Sequence, residues 1–499
     1  LYSPIDVSAR QDYRWRIMID IRPVAYVIGR ILIVLAILML APAVVDLRSG
    51  IPNGIRIFEA AMATGFVGGC VVLSTQNALR GNLSVKQAYL LTTGIWVLVP
   101  AFGALPFYLG EPHLRFSDAY FEAVSGITTT GATVIFGLDE LPAGMNLWRG
   151  MLNWLGGLGI AFIVMIFLPL MRVGGMQFFR TEGFETFGKE LPRATDLAIE
   201  LAKVYTLLTA ICILSYSLIG MSALDAVVNG AATIATGGFS PSDISFEKYS
   251  GAGEYLGTVF MILGSLPYLR YVQLVNGNAA PLWKDLQARA YLRWLAVAVA
   301  MVTLWQVAHT GMPLEPAFRQ TLFNLTSIMS STGFFSGTFA SWGGFMMIVA
   351  FVIGTIGACS GSSAAGLSVF RVQVAMAALR SHLAQITSPN TVAVVKYDGR
   401  RVEDDVLNGL ILFFAGYILL LGLMTVAVSL TGVDTVSALF AVWTSLGNVG
   451  YGFGPLVLRT GTFIDFPQGA IAIMTLAMLL GRLGLLAIMV ILLPAFWRR

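Results

Sequence analysis

Ala123-Val-Ser-Gly-Ile-Thr-Thr-Thr-Gly-Ala-Thr133 is a run of small and hydroxyl-bearing residues whose plan recurs three times further along the chain. The later copies are Ala231-Ala-Thr-Ile-Ala-Thr-Gly-Gly-Phe-Ser240, Ser327-Ile-Met-Ser-Ser-Thr-Gly-Phe-Phe-Ser336 and Trp443-Thr-Ser-Leu-Gly-Asn-Val-Gly-Tyr-Gly452. Aligned on one glycine each, they place Gly131, Gly237, Gly333 and Gly450 at separations of 106, 96 and 117 residues. A period near one hundred residues predicts four quasi-equivalent units.

Each copy sits in the same surroundings: a hydrophobic span, polar punctuation, a short apolar segment, the glycine element and a second span. The short segment cannot cross a bilayer, which takes about 20 apolar residues as helix. It reads as a half-membrane pore helix. Ser117-Asp118, Asp225, Glu315-Pro316 and Asp434 mark its starts, being residue types that cap helix N-termini. The negative end of its dipole then faces the glycine. Extended backbone at that depth survives only inside protein or along a wet cavity, and four sets of carbonyls around one axis make a dehydrating cation site. Glycine admits positive φ, and Thr130, Thr236 and Thr332 can add hydroxyl oxygens, whereas Val449 offers only its carbonyl. The alternative, a mere helix-breaking turn, suits one copy better than an ordered set of four.

At 57% hydrophobic and 12% charged residues, with a mean hydropathy of +0.77, the chain is a polytopic membrane protein. A net charge of +4 gives no reason to expect nucleic acid. Cys70, Cys212 and Cys359, like His113, His309 and His382, are too scattered for a disulfide framework or a metal site. No Walker motif or other phosphate loop occurs, and no cleavable signal peptide is evident.

The repeated stretches resemble the Trk/Ktr/HKT superfamily of potassium transporters, and most closely its TrkH branch. The resemblance rests on Phe116 to Val134, Asn229 to Ser240, Ser330-Ser-Thr-Gly-Phe334, Gly481-Arg-Leu483 and Leu493 to Arg498, and it covers nearly the whole chain. It implies an all-α fold with four pseudo-symmetric repeats around one ion pore, preceded by an extra pair of transmembrane helices. In that superfamily glycine at all four positions accompanies potassium selectivity and serine at the first accompanies sodium; this chain has Gly131. The implied filter comprises Thr129, Thr130 and Gly131; Ala235, Thr236 and Gly237; Ser331, Thr332 and Gly333; and Asn448, Val449 and Gly450. The only metal expected is K+ at these residues, as transported ion, with no organic cofactor. The resemblance also implies a homodimer docked on a cytosolic nucleotide-binding regulatory ring of the TrkA type, in the bacterial inner membrane. The basic stretches Arg172 to Lys203 and Arg380 to Arg401 are either docking surfaces for that ring or ordinary cytoplasmic loops.

In order, the expected parts are an N-terminal hairpin (1–83), repeat 1 (84–195), repeat 2 (196–285), repeat 3 (286–401) and repeat 4 (402–499). Ten crossings follow if each pore loop enters and leaves by one side. Of the 31 Lys and Arg residues, 22 then fall with the termini and inter-repeat linkers, which puts both termini in the cytoplasm.

Two features depart from a plain pore. Gly357-Ala-Cys-Ser-Gly-Ser-Ser-Ala-Ala-Gly366 interrupts an apolar run. It is either a close-packed small-residue interface or, the preferred reading, a broken helix with an intramembrane loop. The family carries a gate there, which makes Gly357, Ser360, Gly361, Ser362, Ser363 and Gly366 gate candidates together with Arg482. Arg482 lies about 21 Å along its helix from Gln468 at 1.5 Å per residue. Either it snorkels to the surface or it faces protein oxygens and water. Relatives often carry an acid after the following leucine; here Gly484 stands in that place. The expectation is a passive potassium pore rather than an enzyme. A less selective K+/Na+ channel, an ion-coupled symporter and a membrane-embedded hydrolase or transferase are the rivals; the last lacks a base near Ser360 to Ser363.

Overall fold

The computed structural model describes residues 19–78, 83–162, 194–389, 394–483 and 490–498. The basic lead-in, most of the first basic linker including Arg172, and Gly484 lie outside the described residues.

An apolar hairpin opens the chain: α1 (Arg22–Arg48) and α2 (Asn53–Thr75) are both long enough to cross a bilayer. Asp46, buried near the end of α1, joins it to the rest. Its carboxylate accepts from Asn53 Nδ2 at 2.8 Å and from the backbone N–H of Gly144, while Asn53 Oδ1 accepts from Glu111 N at 2.9 Å. Gly144 lies in the first turn of α5 (Ala143–Phe162), where orphan N–H groups and the helix dipole favour a carboxylate.

Four units follow. The first comprises α3 (Val85–Gly103), whose start is a capping box between Ser84 and Gln87, the pore helix α4 (Phe116–Ile127) and α5. The second comprises α6 (Ala194–Leu218), the pore helix α7 (Ala223–Ala235) and a broken span, α8 (Ala252–Ser265) and α9 (Tyr268–Val275). The third comprises α10 (Leu286–Thr310), the pore helix α11 (Leu314–Met329), α12 (Gly344–Ile356) and α13 (Val369–Thr387). The fourth comprises α14 (Asp404–Ser429), the pore helix α15 (Thr435–Leu446) and α16 (Gln468–Leu483). A two-stranded hairpin, Lys396–Tyr397 with Arg400–Arg401, lies between the third and fourth units.

Among the described residues six helices qualify as spans alone, and α8 with α9 forms a seventh that bends by 92°. Sequence reasoning treats Tyr255 to Val275 as one rod. Pro267, which cannot donate into a helix ladder, follows Leu266 at the break. Of the expected pore-helix caps, Asp434 accepts from Ser437 N at 2.9 Å, but Ser222 rather than Asp225 caps α7, and α4 and α11 have no side-chain cap.

The apolar interior falls into two main clusters. One joins the N-terminal hairpin to units one and four; the other joins units two and three and takes in Phe440 and Trp443 of α15. The pore helices contribute to both: α4 to the first, α7 and α11 to the second, and α15 to each.

Candidate functional site

Directly after each pore helix the backbone follows one pattern. Its first residue has positive φ although it carries a side chain: Thr129 (50°), Thr236 (51°), Ser331 (57°) and Asn448 (49°). Two residues later comes a positive-φ glycine: Gly131 (82°), Gly238 (71°), Gly333 (86°) and Gly450 (86°). The intervening residue, Thr130, Gly237, Thr332 or Val449, donates its N–H to the carbonyl five positions back: Ser125, Ala232, Ser327 and Thr444 at 2.8, 2.8, 2.8 and 2.9 Å. Four non-glycine residues in the left-handed region are costly, and their recurrence at one place in every unit marks it as built for a purpose.

This pattern corrects the expected register of the second copy. The structural counterpart of Gly131 is Gly238, not Gly237. In the first unit Thr128 caps the pore helix before the left-handed Thr129, whereas in the second Ala235 ends the helix and Thr236 turns at once. Ala235 therefore belongs to the pore helix, and the triplets are 129–131, 236–238, 331–333 and 448–450. Tandem Gly237-Gly238 hides the shift, because either glycine satisfies a one-letter alignment.

The triplets close into a ring. A β-carbon at Gly131 would overlap the carbonyl oxygen of Gly237, one at Gly238 that of Thr332, one at Gly333 that of Val449, and one at Gly450 that of Thr130. Each glycine thus abuts the middle carbonyl of the next unit, and the fourth returns to the first. The same four glycines floor a cavity of about 170 Å³, whose walls include Thr133, Ser240, Asp243 and Tyr451.

Side chains refine the expected oxygens. Thr130 Oγ1 lies 2.7 Å from Thr128 Oγ1, and Thr332 Oγ1 lies 2.6 Å from Ser330 Oγ, so both turn toward their own pore helices. Within the four triplets, the buried hydroxyls without a protein partner are those of Thr129 and Ser331, one residue earlier. Asn448 spends its amide on structure: Nδ2 donates to Thr130 Oγ1 at 2.9 Å and to Met478 O at 3.1 Å.

Outside the ring, neighbouring units are tied by four different means. Arg149 of α5, 1% exposed, pairs with Glu122 at 2.9 Å, donates to Ser240 O at 2.9 Å and lies over the Phe239 ring at 4.2 Å. Glu122 also accepts from Thr133 Oγ1 and Val134 N. Glu254 of α8 accepts from Ser336 Oγ at 2.7 Å and pairs with Arg319. Phe335 and Phe339 meet Tyr451 edge-on, and Phe463 N donates to Thr133 O at 2.8 Å. Sequence reasoning singled out none of these ties; a lone Glu122 inside a pore helix was the available signal.

Between α12 and α13 the chain leaves the helix at Gly357 and forms a loop, so the long apolar run is broken as expected. Its neck is closed by Leu367 N to Thr355 O, Ser368 N to Ile356 O and Val369 N to Ala358 O, at 3.0, 2.8 and 2.9 Å. Gly357 and Gly366 face each other there; a β-carbon on Gly357 would overlap the Ala365 carbonyl, and one on Gly366 would be tight against Gly357. Arg482 is 5% exposed and reaches this loop, donating from Nη2 to Ser363 O at 2.7 Å. It does not snorkel. Loop residues 359–362 and 364–366, with Arg371, Phe413 and Arg482, line a second cavity of about 70 Å³. Arg371 escaped the sequence reading; it donates to Leu367 O at 3.0 Å and stacks on Phe413 at 4.1 Å. Among the described residues no cluster of His, Cys, Asp or Glu could hold a metal ion.

The sequence model of the cation transport protein family TrkH matches residues 53–498. The chain belongs to the TrkH family. It is 34% identical over 96% of its length to the Trk system potassium uptake protein TrkI of Halomonas elongata, of which the match covers 97%. It is 31% identical, again over 96%, to the Trk system potassium uptake protein TrkH of Escherichia coli, of which 99% is covered. The crystal structure of the potassium transporter TrkH from Vibrio parahaemolyticus superposes with a TM-score of 0.89 at 29% identity, covering 96% of this chain and 100% of that one. For this TrkH-family chain the fold is all-α and polytopic, and its relatives are transporters rather than enzymes.

Proposed function

We propose that the chain is a potassium uptake pore, conducting K+ passively through the ring of triplets 129–131, 236–238, 331–333 and 448–450. The observation that carries this reading is the fourfold alternation of φ sign, with each glycine seated on the next unit's carbonyl. Alternating handedness turns successive carbonyls to one side instead of to opposite sides as in a strand, and stacked carbonyls replace an ion's hydration shell. Its relatives named as potassium uptake proteins support K+ as the ion. The loop from Gly357 to Gly366, pinned by Arg482, acts as the gate: a guanidinium beside a cation path raises the entry barrier.

Proton coupling would call for a free carboxylate along the path. Glu122 is paired with Arg149, Glu254 with Arg319 and Asp225 with Lys248. The working assembly is a homodimer on a TrkA-type regulatory ring in the bacterial inner membrane, with both termini cytoplasmic and the 170 Å³ cavity outside.

The test is ion flux into liposomes holding the purified protein under a fixed membrane potential. Potassium uptake well above sodium, driven by potential alone, is expected. Gly131→Ser, which must displace the Gly237 carbonyl, should admit sodium several-fold more readily relative to potassium. Unchanged relative permeability would remove the filter assignment.

A further inference from the structure

The broken second span of unit two is the seat on which the loop from Gly357 to Gly366 rests. Resting on the gate reading of that loop, we infer that Tyr268 is its latch, a positioning residue that holds the gate shut through a contact separate from that of Arg482.

Tyr268 is the first residue of α9, directly after the 92° bend, and it is buried. Its backbone N–H donates to Gly361 O at 2.9 Å, and Ser265 O, on the other side of the break, accepts from Cys359 N at 3.3 Å. A straight helix would have spent both of these backbone groups on its own ladder; Pro267 frees them for the loop. The Tyr268 hydroxyl donates to Ile234 O at 3.1 Å, two residues before the left-handed Thr236. With its one proton committed there, its oxygen accepts from Ser363 Oγ at 2.8 Å. Ser363 is also the residue whose carbonyl takes the Arg482 guanidinium. Units two and four therefore grip one residue of unit three by different atoms.

The elbow also has a route to the cytoplasmic side. Arg270, half a turn along α9, pairs with Asp285 at 2.8 Å. Asp285 caps α10 through Gln287 N and Ala288 N, and Gln287 Oε1 accepts from Ser360 N at 2.9 Å. Rotation of α9 thus pulls on the loop at Ser360, Gly361 and Ser363 together. That makes the bend the part through which a movement at the cytoplasmic face releases the gate, while the triplets stay in place.

Tyr268→Phe keeps the ring against Tyr205 and Tyr271 and keeps the N–H to Gly361, but loses the hydroxyl. Potassium flux of reconstituted, monodisperse protein is expected to rise about two- to tenfold, the span of one lost hydrogen bond, with the potassium-to-sodium ratio unchanged. Ser363→Ala removes the same bond from the other partner without touching the elbow. It should raise flux similarly, and the double variant should add little to the larger single effect. Wild-type flux in Tyr268→Phe and Ser363→Ala, with elevated flux in Arg482→Ala, would overturn the latch and leave the gate reading intact. Wild-type flux in all three would take the gate reading down with it. A changed ion ratio in Tyr268→Phe would also overturn the latch, because the hydroxyl would then serve the pore helix through Ile234.

Discussion

The ring of triplets and the surroundings of the loop from Gly357 to Gly366 are built on opposite plans. At the ring four units do the same thing with the same backbone, and side chains differ freely: threonine, threonine, serine and asparagine all hold the left-handed first position. Around the loop no unit repeats another. Unit three supplies the loop, unit two a bent span, and unit four an arginine. Selection of an ion needs equivalent ligands around it, whereas opening needs a part that moves against parts that do not. Under the proposed function, selectivity falls to the symmetric region and control to the asymmetric one.

The sharpest way to break that contrast is at the register of unit two. Gly238→Ala must force a β-carbon onto the Thr332 carbonyl at a φ that side chains resist, and should lower potassium flux by at least about tenfold. Gly237→Ala meets the Asn153 side-chain amide at 2.6 Å, which can shift, and should cost less. The opposite order, measured as flux per reconstituted molecule, would restore the alignment on Gly237.

Arg482→Ala tests the asymmetric region. One charge about 8 Å from the ion at an effective dielectric near 20 is worth about 2 kcal/mol, so basal flux should rise roughly thirtyfold. Equal or lower flux at equal protein amount would count against a barrier at this position. The smallest expected effect is at the ring's periphery. Asp434→Ala removes the cap on α15 and should lower stability by about 1 kcal/mol, read as a small drop in the midpoint of thermal unfolding in detergent with selectivity intact. A loss of selectivity there would mean that the ring depends on the outer ends of its pore helices.

Much of the symmetric region is legible in the residues. A glycine element after a short apolar segment, four times over, predicts pore helices because each segment is too short to cross a bilayer, and the loop shows itself through its glycines and serines. The one-residue slip at Gly238 was out of reach, since it depends on where α7 stops, and helix ends are set by hydrogen bonds that composition does not encode. The asymmetric region was half visible. Arg482 stands out as a charge in an apolar run, but its contact with Ser363 joins residues 119 positions apart, and nothing local announces it. Arg371 and Tyr268 look like ordinary members of amphipathic helices. The 92° bend alone had a signal, Pro267, which a reading focused on span length passed over.

The ring of glycines seated on neighbouring carbonyls has a consequence for how such a protein can change over time. In a pore made from four copies of one short chain, any substitution strikes all four contacts together, and a marginal loss at each becomes fatal by repetition. Here one gene writes each quarter separately, so a change at Gly450 strains its contact with Thr130 and leaves those at Thr332 and Val449 untouched. The fourth quarter can thus carry Val449 where the first and third carry threonine and the second carries Gly237, and can commit Asn448 to bracing α16, without disturbing the other three contacts.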